Sequence, residues 1–149
     1  MQNRLPALSP GLAETYAAAT DRLVAHVHDQ LTNNVRITEL IGHNSFRLMR
    51  DSHQSHAALM VTLFRSNAFE LLMRTIPWVY RSYHARGFAY DYFPVELAAW
   101  QIAIQECLDN QVLKAEILTV YEWMIQHHDE MVKCSISGEG LFFCSAGVQ

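Results

Sequence analysis

Proline and glycine are scarce. There are four prolines and six glycines in 149 residues, and nowhere do four or more β-branched or aromatic residues alternate cleanly with polar ones. That excludes period-two strands and predicts an all-α chain. Cysteine is scarce too. Cys107, Cys134 and Cys144 are odd in number and form no C-x-x-C pair, which argues against a disulfide framework. Cys107 is expected as a small core residue and the other two as incidental thiols. A basic footprint is missing: 11 Lys and Arg against 15 Asp and Glu give a net charge of −4, and the cations are scattered singly, so no nucleic acid is expected as partner. Long apolar runs are missing as well. The longest, Ala57 to Val61, is far too short to span a bilayer, and the start MQNRLPALSP lacks a charged-then-apolar leader pattern. The expectation is a soluble, cytoplasmic protein with no membrane partner.

What is present is apolar residues at helical spacing. They make up 50% of the chain, enough for one substantial core. Ser9 and Pro10 read as N-cap and N1 of a first helix with Leu12, Tyr16, Ala19, Leu23, Val27 and Leu31 inward, ending near Asn33-Asn34. A short helical stretch covers Arg36 to Gly42, followed by a turn at His43-Asn44-Ser45. Asp51 or Ser52 is expected to cap the next helix, whose inward face holds His56, Met60, Leu63 and Phe64 and which runs to about Arg74. Thr75-Ile76-Pro77 reads as a break, because proline disfavours helix at the residue before it, with a short helix from Pro77 to a C′ glycine, Gly87. Pro94 opens a helix with Leu97, Trp100 or Gln101, Ile104 and Leu108 inside. After Asp109-Asn110 a final long helix carries Leu113, Ile117, Val120, Met124, His128 and Met131 to about Lys133. The domain is thus expected over residues 1–133, with 134–149 as a tail in which Leu141-Phe142-Phe143 is the only apolar group.

The eight histidines invite a metal reading, and most spacings reject it. No glutamate has a histidine three residues on, so the di-iron bundle motif is missing. There is no His-Glu-x-x-His and no Gly-rich phosphate loop. His53 and His56 share a helix face but have no acidic or cysteine partner nearby in sequence, and are expected as an exposed pair. Nothing assembles a nucleophile triad, and no enzyme is expected.

The order of elements, with Phe46 ten residues before His56 and His84 twenty-eight after it, resembles the globin superfamily. The stretch YHARGFAYDYFPVELAAWQIAIQECL, followed by AEILTVYEWMIQHHDEMV, looks like the bacterial globin run from proximal histidine through an aromatic corner into a long C-terminal helix pair. The resemblance implies a globin-like helical domain that binds haem, with His84 as the iron ligand, His56 as distal residue (His53 the fallback), Met60 one turn on and Phe46 against the porphyrin. Tyr80, Tyr83, Phe88, Phe93 and Leu97 would line the slot. The same residues can equally fill it. His84, near a helix-ending glycine, is also favoured there by the partial negative charge of the last carbonyls, with no cofactor. The resemblance therefore implies either a haem-based sensor of a diatomic gas such as oxygen, or a haem-free sensory and dimerisation domain of a signalling regulator that takes a partner or a small apolar ligand. A homodimer through the last two helices is expected in either case, with Trp100, Trp123, Met124 and Met131 as candidate seam residues.

Overall fold

A computed structural model of the chain describes residue 5 and residues 7–138. Among these, seven α-helices and no strand are present, as expected of an all-α chain: α1 Leu12–Thr32, α2 Ile37–Ile41, α3 Phe46–Ser66, α4 Phe69–Ala85, α5 Tyr92–Cys107, α6 Gln111–Gln126 and α7 His128–Ser137. α1 lies against α3 and α5, α5 pairs with α6, and α4 packs on α7. The apolar stripe of α1 is buried from Leu12 to Leu31, as its spacing requires.

Three boundaries differ from expectation, each for an identifiable physical reason. Ser9 does not cap α1: its backbone N–H and hydroxyl go to the Glu116 carboxylate on α6, and Gly11, at φ 85°, occupies the cap position. α3 begins nearly two turns earlier than expected, because the Ser45 hydroxyl accepts the Leu48 N–H at 3.1 Å, a side-chain cap of the kind that starts helices. The break between α3 and α4 falls at Asn67, which takes the left-handed conformation (φ 53°) that asparagine tolerates at helix ends. Pro77 sits inside α4 and is buried. It forfeits one hydrogen bond to the carbonyl four residues back, and the helix survives because that segment is packed against α7.

The last helix is also divided. His127 separates α6 from α7, with its Nδ1 donating to the Trp123 carbonyl at 2.8 Å. α7 continues to Ser137 with Cys134 buried, so residues 134–137 belong to the helical body and not to a tail. Leu141-Phe142-Phe143 and Cys144 lie outside the described residues. Trp100, Trp123, Met124 and Met131 are all buried in the core and offer nothing to a seam. The apolar side chains that α5 and α6 do expose are Ile102 and Val112.

Two connections are pressed together beside α2. The Ala89 N–H donates to the Leu40 carbonyl at 2.8 Å, and Asn44 Nδ2 donates to the carbonyls of Ile41 and Arg86. Gly42 makes this approach possible. It has φ 64° and ψ −131°, and a Cβ there would lie 2.6 Å from the Gly87 carbonyl oxygen. Gly42→Ala therefore combines backbone strain with a clash against backbone, and is expected to cost about 3 kcal/mol by urea unfolding. Gly11→Ala, at a positive φ but in open space, is expected to cost about 1 kcal/mol.

Candidate functional site

α4 is held by α7 and barely touches α3, which leaves a cavity of about 300 Å³ between α3 and α4, with α5 as its floor. α3 supplies Ser52, Ser55, His56 and Leu59. α4 supplies Ile76, Trp78, Val79, Tyr80 and Tyr83. Tyr92, Phe93, Glu96 and Leu97 come from α5, and Met124 and Met131 close the far end. Ser55 and Trp78 (66% exposed) are its outward members, while Glu96 is 7% exposed. Among the described residues no lysine or arginine lines it.

The polar groups form two linked sets. In the first, His53 Nδ1 donates to Glu96 Oε2 at 2.8 Å, with the histidine fully buried. His53 Nε2 is buried without a hydrogen-bond partner among the described residues. Burial works to raise the Glu96 carboxyl. The bond from His53, with the fields of His53 and His56, outweighs it and holds the group below the usual carboxylate range. The His28 ring lies edge-on to His53 at 5.6 Å, and burial, then His53, pushes it down.

The second set runs from α1 to α3 through α6: Tyr16 and Tyr121 share a bond of 2.7 Å, and Tyr121 is 2.8 Å from His56 Nε2. Only the order Tyr16 to Tyr121 to His56 gives each hydroxyl hydrogen an acceptor within this chain. It leaves the His56 hydrogen on Nδ1. Burial pushes the His56 imidazole down to about 4, partly countered by Glu96. On the opposite side of the cavity the Tyr80 hydroxyl and His128 Nδ1 share a hydrogen bond of 2.8 Å, and burial lowers His128 as well.

Of the residues that the globin resemblance implicated, His56, Tyr80, Tyr83, Phe93 and Leu97 line the cavity. Met60 and Phe88 are wholly buried but outside its lining. Phe46, the first residue of α3, is 44% exposed. It caps no cavity because α3 begins at that residue and turns it outward. His84 is exposed at the α4–α5 corner. Its Nδ1 donates to the Phe88 carbonyl at 2.9 Å, and its ring lies flat on Tyr90 at 3.8 Å. It does not line the cavity, and Tyr80 stacked on Phe93 at 3.9 Å occupies part of the wall beneath. Haem held by His84 does not fit this arrangement. Among the described residues, no group of three or more His, Cys, Asp or Glu side chains could hold a metal ion, and no helix is long and apolar enough to cross a membrane.

The expectation of an exposed His53–His56 pair is corrected: His53 is fully buried on Glu96 and His56 half-buried on Tyr121. Sequence reasoning missed Glu96 altogether. Its signal is a carboxylate on an apolar stripe, since Phe93, Glu96, Trp100 and Ala103 recur at steps of three and four and are all buried. The same spacing places His53 and His56 between Met49 and Met60 on α3. No known family, curated protein or solved structure matches the chain significantly.

The buried His56 gives a pH dependence with a definite sign. Its folded value of about 4 lies below the ordinary 6.5, so the unfolded chain takes up the proton first. Its contribution is complete above pH 6.5 and is lost as pH falls from 6.5 to 4. The whole step is worth about 3 kcal/mol. Urea unfolding across that range is expected to show the loss. His56→Gln, which can still accept from Tyr121, is expected to flatten the slope without abolishing it, because His28 and His128 are lowered too.

Proposed function

We propose that this chain is a haem-free, globin-like sensory domain whose cavity between α3 and α4 binds a small, largely apolar organic ligand. The observation that carries the reading is the cavity itself: about 300 Å³, walled mainly by aromatic and aliphatic side chains with a few converging polar groups. That is the ordinary form and the lower end of the size range of small-molecule sites. An apolar side chain filling the space would gain packing energy, so an open cavity is a feature that a purely structural core has reason to lose.

The position of the cavity also supports a sensing role over storage. α4 is tied to α7 through Tyr80 and His128 and carries Val79, Tyr80 and Tyr83 in the cavity wall. A ligand that prefers one spacing of α3 and α4 thereby biases α7, the last described helix. A second copy of the chain, docked through Ile102 and Val112 on the outer faces of α5 and α6, is the partner this reading expects.

Titration with hexan-1-ol, followed by tryptophan emission, tests the proposal, because Trp78 stands in the wall. Saturable change is expected, and Val79→Phe, which fills the space, is expected to weaken it at least about tenfold. Haemin added to the same protein is expected to give no stoichiometric Soret band. A sharp Soret band at one equivalent that is lost in His84→Ala would overturn the haem-free reading in favour of a gas-binding one.

A further inference from the structure

We propose that the cavity selects an organic ammonium ion with a short apolar body, seated with its charge between the Glu96 carboxylate and the faces of the surrounding aromatic rings. The inference rests on the reading of the cavity as a ligand site and adds the charge of what it takes.

A carboxylate offers about four lone-pair positions, and His53 supplies one donor, at Oε2. The rest of the group borders a space with no lysine or arginine in its wall. Glu96 is the one carboxylate among the lining residues, and the His56 imidazole beside it is pushed by burial down to about 4, so the full charge in the wall at pH 7 is negative. A neutral hydrocarbon filling this space would strip solvent from that charge and return nothing, and a carboxylate ligand would be repelled. An ammonium group answers the charge and brings its own donors to the open positions.

The remaining walls favour the same choice. Tyr83, Tyr92, Phe93 and Trp78 border the space together with Tyr80, and the negative faces of such rings attract cations while accommodating their alkyl groups. Met124 and Met131 at the far end are flexible thioethers that adapt to an apolar tail. Ser55 and Trp78, the exposed members of the lining, carry no charge that would hinder a cation.

Calorimetry at pH 7 with three probes of equal chain length, n-hexylammonium, hexan-1-ol and hexanoate, decides the matter. The ammonium ion is expected to bind at least about tenfold more tightly than the alcohol, and hexanoate more weakly than either. Glu96→Gln is expected to remove the preference for the cation and to leave the alcohol within about threefold of its original affinity. Since loss of the charged partner of His53 can compromise folding, Tyr83→Leu at the half-buried rim provides a second variant. It is expected to weaken the ammonium ion more than the alcohol. Equal or tighter binding of the alcohol by the unaltered protein would overturn the inference while leaving the cavity's role intact. Failure of all three probes, the alcohol included, would remove the ligand site itself.

Discussion

A carboxylate kept away from bulk water inside a helical body is the constraint around which this molecule is arranged. Glu96 is held by one hydrogen bond from His53, and both belong to stripes that are otherwise apolar. Replacing the pair with hydrocarbon would ordinarily be neutral or stabilising in a core of this kind, whereas removing one member would strand the other. Retaining a charge at such a place makes sense when something enters to meet it. The neighbouring chain of Tyr16, Tyr121 and His56 then acts as a second brace, tying α1, α6 and α3 together and reaching the same space at His56.

The space exists because α4 is committed elsewhere. Its packing on α7, the Tyr80 bond to His128 and the burial of Pro77 hold it away from α3. The crowded junction of Gly42, Gly87 and Asn44 fixes the corner from which α5 departs, so that Tyr92, Phe93, Glu96 and Leu97 face the opening. Secondary structure, close backbone approach and polar pairing thus converge on one interior surface, and a shift of α4 on ligand entry would be felt directly by α7.

Periodicity and turn residues in the sequence were enough to reveal the helical class, the inward stripe of α1, the short α2, the C′ position of Gly87 and the break at Asp109-Asn110. The boundaries that escaped it were decided by competition. Ser45 outbid Asp51 as a cap, Asn67 broke a helix where Pro77 was expected to, and His127 interrupted what reads as one continuous segment. In each case a local contact or conformation set the boundary: the Ser45 hydroxyl on the Leu48 N–H, the left-handed Asn67, and the His127 ring on the Trp123 carbonyl. The site was half legible. Of the residues that the globin resemblance implied, His56, Tyr80, Tyr83, Phe93 and Leu97 line the cavity, because residues on facing stripes share an interior. His84 and Phe46 do not, because a linear separation of residues carries no information about which way a side chain turns at a helix end. Glu96, and the burial of His53 against it, were missed because the pairing spans 43 positions and no local motif announces it, although both stand on apolar faces.

The central claim is that a polar floor and an apolar wall enclose one ligand between α3 and α4. A crystal structure of the protein grown with n-hexylammonium tests it most directly. The expected result is density for the alkyl chain beside Val79 and Leu97, with the nitrogen at hydrogen-bond distance from the Glu96 carboxylate. An interior closed by rotated side chains, or the amine found only on the outer surface, would contradict it.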